Sequence, residues 1–142
     1  MSDAGWVIDT DVVSETAKPR PDPRVMAWLV ELTVLSMSSV TIYELARGIG
    51  RLARGRRRQF LEAWLAALLE GADILPFALE EALAGARIET EARRQRRSVD
   101  GHDLFILATA RAGGRTVVTR NFQYFVDFGV AVYNPFSGET SA

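Results

Sequence analysis

Asp9, Glu44 and Asp103 are the side chains of this 142-residue chain whose type and position point to chemistry. Asp9 directly follows the apolar run Trp6-Val7-Ile8. A carboxylate at the end of a buried strand is costly unless something positive is paired with it. If the three acids converge, each pair about 4 Å apart repels by roughly 4 kcal/mol at an effective dielectric near 20. Such a cluster persists only around a cation, or with some members protonated. Hard oxygen donors favour Mg²⁺ or Mn²⁺, which take two or three carboxylates together with waters and phosphate oxygens. Other metals have little to bind: cysteine is absent and His102 is the single histidine, which excludes thiolate and imidazole-rich zinc sites.

Each acid also has an ordinary structural reading. Thr41-x-x-Glu44 matches a capping box, in which Glu44 reaches back to a helix start. Asp103 is placed to cap a helix that begins at Leu104, and Asp11 to cap one that begins at Val12. Periodicity alone does not show that the acids converge.

The elements that must position them follow from hydrophobic patterning. Strands are expected at Trp6–Ile8, Thr33–Ser38, Ile74–Leu75, Thr116–Thr119 and Val130–Tyr133. Helices are expected over 12–16, 24–31 (after the proline-rich stretch 18–23), 39–52, 57–70, 79–97 and 104–112, the last stopped by Gly113-Gly114. In the helix over 57–70, Phe60, Trp64, Leu65, Leu68 and Leu69 mark one apolar face. Strands alternating with helices imply an α/β fold, a mostly parallel sheet covered on both faces. Ligands bind such sheets at the carboxyl ends of the strands, where Asp9 and Asn121 both lie. Length, 48% hydrophobic content and the absence of a linker or repeat fit one domain over residues 1–142.

Seventeen basic residues balance 18 acidic ones, and every basic residue but Lys18 is arginine. Arginine matches phosphate as a fork. The runs Arg51, Arg54, Arg56, Arg57, Arg58 and Arg93, Arg94, Arg96, Arg97 read either as solvated helix ends or as a phosphate-tracking rim around an acidic pocket. Arg120, beside Asn121, is the arginine expected nearest the chemistry. The sequence lacks a signal-peptide pattern and any apolar run near the roughly 18 residues that span a bilayer. A soluble, cytoplasmic protein without a membrane partner is expected.

The segments Val7-Ile8-Asp9-Thr10-Asp11-Val12-Val13-Ser14-Glu15, Thr41-Ile42-Tyr43-Glu44-Leu45-Ala46-Arg47-Gly48-Ile49, Asp103-Leu104-Phe105-Ile106-Leu107-Ala108-Thr109-Ala110 and Thr119-Arg120-Asn121, with the ending Asn134-Pro135-Phe136, closely resemble PIN domains of the VapC and FitB toxins. The resemblance covers nearly the whole chain and implies a three-layer α/β/α sandwich. It implies that Asp9, Glu44 and Asp103 bind Mg²⁺ or Mn²⁺ and direct water at an RNA phosphodiester, leaving a 5′-phosphate and a 3′-hydroxyl. Thr10 and Thr119 match positions that support the site by hydrogen bonds. Two departures stand out. The family usually has asparagine at Asp11, and commonly an aspartate where this chain has Asn121. Asparagine coordinates through its carbonyl without adding charge, so one metal, or a weakly held second, is expected; Asp100 is a candidate to compensate.

The resemblance also implies an RNA substrate, a cognate antitoxin whose C-terminal segment lies over the toxin, a homodimer, and promoter DNA bound only through the antitoxin. The helices between Val40 and Leu69, with Ile42, Leu45, Leu52, Phe60 and Leu61, are the expected antitoxin groove. Two other readings exist. A degenerate PIN domain would bind RNA or protein without cutting. Asp9-Thr10-Asp11-Val12-Val13 also matches the aspartyl-phosphate motif of haloacid-dehalogenase-like phosphatases, with Asp9 as nucleophile and Asp11 as acid/base; that chemistry needs a downstream lysine, and Lys18 is the only lysine.

Overall fold

Two adjacent residues of β1 (Trp6–Ile8) set the layering: Val7 and Ile8 are both fully buried, but in different cores. Successive side chains of a strand leave its sheet on opposite faces, so β1 must be covered twice. Val117 and Val118 divide in the same way. The computed structural model describes residues 5–99 and 101–141; Asp100 lies outside them.

After β1 come α1 (Thr10–Val13), a 3-10 turn (Ser14–Ala17), α2 (Pro23–Val30), β2 (Leu35–Ser38), α3 (Ser39–Gly50) and α4 (Arg56–Gly71). These are followed by β3 (Ala72–Leu75), α5 (Leu79–Arg94), α6 (Gly101–Gly113), β4 (Thr116–Val118), α7 (Phe122–Phe125) and β5 (Val132–Tyr133). Among the described residues the paired strands run parallel, in the orders β1-β4-β5 and β2-β3, with β1 packed alongside β2 and an isolated antiparallel bridge joining Tyr133 to Thr140. The expected parallel sheet is therefore built as two hydrogen-bonded ladders.

One core lies between the sheet and α5 and α6, where Val7, Ile88, Ile106, Leu107, Val117 and Phe125 are enclosed. The other holds Ile8, Val12, Val25, Met37, Val118 and Phe136, with Leu45, Trp64 and Leu68 packed onto it. Trp64 donates its indole N–H to Thr16 Oγ1 at 2.8 Å, tying α4 to the 3-10 turn. The apolar face expected on α4 is only partly used: Phe60 and Leu69 are exposed. Among the described residues no helix is long and apolar enough to cross a membrane.

Several caps differ from the sequence reading. Asp9, not Asp11, caps α1. Ser38 caps α3 through the Val40 N–H, so Thr41 and Glu44 form no capping box. Asp103 sits inside the first turn of α6, which starts at Gly101. Helix α5 stops at Arg94 rather than Arg97: Arg96 adopts a left-handed φ of 55°, and the Arg97 and Arg96 N–H groups return to the carbonyls of Ala92 and Arg93. That is a Schellman closure without its usual glycine. Gly114 supplies the same closure for α6 with φ of 63°, as its glycines predict.

Candidate active site

Parallel strands bring Asp9 and Thr119 to one edge, because β1 and β4 run side by side and both end there. The Asp9 N–H donates to the Val118 carbonyl at 2.8 Å, which fixes the backbone where the strand turns into α1. Glu44 arrives from α3, launched by β2; it is the sixth residue of that helix, in its second turn. Asp103 arrives from the first turn of α6, which packs on both β1 and α3.

Asp9 is buried, 6% exposed. Its Oδ1 accepts from the Thr10 N–H and its Oδ2 from the Thr119 hydroxyl, both at 2.8 Å. Burial pushes the Asp9 pKa up; the two hydrogen bonds oppose this, and the Glu44 charge adds to the rise. Thr10 bridges the two acids, since its hydroxyl donates to Glu44 Oε1 at 3.0 Å. The other oxygen of Glu44 lies 3.1 Å from His102 Nδ1. Asp11 is pushed up to about 7 by burial and by the neighbouring Asp9 charge. Its Oδ2 accepts from the Arg120 N–H at 3.2 Å, while its Oδ1 is buried with no hydrogen-bond partner among the described residues.

The loop after β4 completes the edge. The Asn121 N–H donates to Thr119 Oγ1 at 3.1 Å, but the Asn121 side chain is exposed, so its link to the acids runs through backbone. Arg120 is exposed, and its guanidinium lies over the Phe136 ring at 4.5 Å. Buried Asn134 donates to the Arg120 carbonyl and accepts from the Phe136 N–H. Residues 134–136 thus clamp the Arg120 loop, a role that only the three-dimensional arrangement reveals. A cleft of about 670 Å³ opens beside Arg120, Asn121 and Tyr124. Arg97, read from the sequence as either a solvated helix end or part of a phosphate rim, instead donates to the carbonyls of Gln123, Tyr124 and Val126 and lies 4.2 Å over the Phe128 ring.

The arrangement therefore joins Asp9 and Glu44 through Thr10, places Asp11 beside them, and sets Asp103 next to His102. Among the described residues no three histidine, aspartate or glutamate side chains yet stand as a group able to hold a metal ion. Asp9, Glu44 and Asp11 each accept from a hydroxyl or an amide N–H, and Glu44 also meets the His102 imidazole. The donor set itself fits a hard divalent cation. It is all oxygen, its central carboxylate is buried, and a neighbouring acid keeps one oxygen without a partner among the described residues. On the far flank of Glu44, Leu45, Ile49, Leu52, Leu61 and Trp64 line a groove of about 360 Å³; of the residues expected in an antitoxin groove, Leu45, Leu52 and Leu61 line it, whereas Ile42 and Phe60 do not, Ile42 packing against the core as Leu45 also does and Phe60 being exposed.

The PIN domain family matches residues 6–129. The toxin FitB of Neisseria gonorrhoeae is 35% identical over 135 residues, which cover 91% of this chain and 96% of FitB. A VapC ribonuclease of Sinorhizobium fredii is 33% identical over the same shares of both chains. The crystal structure of FitAcB from Neisseria gonorrhoeae superposes with a TM-score of 0.86 at 34% identity, over 92% of this chain and 98% of that one. FitAB bound to a DNA fragment gives 0.85 at 32% identity, over 96% and 99%. The phosphatase reading of Asp9 and Asp11 gives way to this match, and the chain belongs to the PIN-domain family, alongside the FitB and VapC proteins.

Proposed function

We propose that this protein is a Mg²⁺- or Mn²⁺-dependent endoribonuclease that serves as the toxin of a toxin–antitoxin pair. The observation that carries the reading is Asp9: a buried carboxylate whose two oxygens are met by a hydroxyl and an amide, neither of them a cation, with Glu44 and Asp11 alongside. Asp9, Glu44 and Asp103 hold the ion in this proposal, and Asn121 adds an uncharged donor, so one metal is bound firmly and a second weakly. A bound divalent ion lowers the pKa of a water and offsets negative charge on the phosphate during in-line displacement.

The protein's own residues do the rest. Thr119 and Thr10 orient Asp9 and Glu44, and Arg120 attracts the phosphates at the rim. The water oxygen bonds to phosphorus, the P–O3′ bond breaks, and a proton passes to the departing 3′ oxygen, leaving a 5′-phosphate and a 3′-hydroxyl. The groove beside Leu45 and Trp64 receives the antitoxin, the toxin forms a homodimer, promoter DNA is reached through the antitoxin, and the pair works in the cytoplasm. The names FitB and VapC ribonuclease borne by the relatives support the toxin and nuclease parts of this reading.

The test is cleavage of single-stranded RNA with and without Mn²⁺, with the chemistry of the new ends mapped. Metal-dependent cleavage with 5′-phosphate ends is expected; metal-independent cleavage, or 2′,3′-cyclic phosphate ends, contradicts it. Asn121, an exposed amide where the family commonly has an aspartate, favours a second reading, a PIN fold that binds without cutting. Calorimetric titration with Mn²⁺ separates the two, since only a nuclease needs affinity that depends on Asp9.

A further inference from the structure

Successive residues of an α-helix leave its axis about 100° apart, so Tyr43 and Leu45 depart on opposite flanks of Glu44. The Leu45 flank is the apolar groove. The Tyr43 flank is aromatic and polar. Tyr43 is 56% exposed. The His102 ring meets it edge-on at 5.9 Å and 61°, and the Arg47 guanidinium, one helical turn on, lies 5.9 Å from the ring centroid. His102 is itself anchored, with Nδ1 3.1 Å from Glu44 Oε2, and Asp103 is the next residue in the chain.

We infer that Tyr43, steadied by His102 and flanked by Arg47, is a stacking platform for one base of single-stranded RNA beside the phosphate to be cut. The inference rests on the ribonuclease reading and specifies how its substrate is held. Single-stranded RNA is gripped by stacking unpaired bases on aromatic and arginine planes. A ring already oriented by a neighbour loses little freedom when a base joins it. Arg47 stands near the outer limit of a cation–π contact on an exposed side chain, so it swings readily to the phosphate of the stacked nucleotide. An aromatic, imidazole and guanidinium trio suits a planar ligand carrying negative charge better than it suits an apolar peptide, which has the groove on the other flank.

The platform sits one residue from Glu44 on α3, and its imidazole one residue from Asp103 on α6. A base seated there is tied to both elements that carry those acids. Tyr43 is a positioning residue in this account: it sets which nucleotide stands next to the acids and takes no part in proton transfer.

The experiment measures affinity for a fluorescein-labelled, mixed-sequence 15-nucleotide RNA in Ca²⁺ by anisotropy, and KM and kcat for its cleavage in Mg²⁺. Tyr43→Ala and Tyr43→Leu should weaken binding by roughly 5- to 150-fold, the range that stacking of one base supports, with KM raised far more than kcat is lowered. Tyr43→Trp should restore binding. An abasic nucleotide moved along the RNA should weaken wild type at one position, and Tyr43→Ala no further there. Unchanged RNA affinity in both Tyr43→Ala and Tyr43→Leu overturns the platform, as does weakening that appears only in self-association or antitoxin binding. The ribonuclease reading then still stands or falls separately, on whether cleavage needs Asp9.

Discussion

The Thr119 hydroxyl donates to Asp9 Oδ2 at 2.8 Å across 110 positions of sequence, with both residues buried. It orients the carboxylate and holds down a pKa that burial drives up. Thr119→Val keeps the shape and removes the hydroxyl, both the donor to Asp9 and the acceptor of the Asn121 N–H. Mn²⁺ affinity measured by calorimetry should fall by roughly 10- to 100-fold, the usual effect of removing a hydrogen bond that orients a metal ligand. Undiminished affinity would show that Thr119 merely fills space.

Burial raises both Asp9 and Asp11, and Asp11 reaches about 7. Without metal, the folded protein therefore keeps protons that the unfolded chain has already released, and stability declines as pH rises from the ordinary aspartate range to about 7. Glu15 and Glu91 are lowered, so their contribution is complete above the ordinary glutamate range and does not obscure this window. Thermal melts in EDTA between pH 5.5 and 8 should show Tm falling with pH. Asp11→Asn should raise Tm at pH 8 by about 2–4 °C for each kcal/mol of repulsion and desolvation relieved. A wild-type Tm that rises across this window would contradict the account.

Arg97 carries structure rather than substrate. Its guanidinium serves three carbonyls around α7 and covers Phe128. Arg97→Met should cost about 2 kcal/mol, given what leaving partly buried carbonyls unpaired typically costs, and lower Tm by about 4–8 °C. Its effect on the salt dependence of RNA binding should be negligible.

Arg120 is the converse case: exposed, braced against Phe136, and linked by backbone to Asp11 and Asn134. Arg120→Ala should weaken RNA binding at every sequence tested and reduce the slope of log K against log salt by about 0.7, one phosphate contact on a single strand. Melting temperature should barely move. An unchanged slope would remove Arg120 from the RNA path.

How far the sequence discloses this site depends on the kind of signal. Val7-Ile8 and Val117-Val118 announce buried strands because apolar β-branched residues next to turn residues have few other uses, and Asp9 is conspicuous because a carboxylate has no business at such a strand end. The end of α5 was hidden, since Arg96 enters the left-handed region without a glycine to advertise it. Helix α7 was missed because four residues are too few for helical periodicity to register. The Thr41/Glu44 motif misled: Ser38 offers its hydroxyl at the true helix start, which leaves Glu44 for Thr10 and His102. Tertiary partners such as Thr10 with Glu44, or Asn134 with Arg120, join distant segments, and no local pattern encodes them.

The most direct test of the central claim is the rate at which Asp9→Asn cleaves single-stranded RNA in Mg²⁺, beside the wild type. Asparagine preserves size and one of the two accepting oxygens, turns the other into an amide donor, and removes the charge that the cation needs. A fall of at least about 100-fold, or roughly 3 kcal/mol in the barrier, is the predicted result. Cleavage by Asp9→Asn at the wild-type rate would contradict the account.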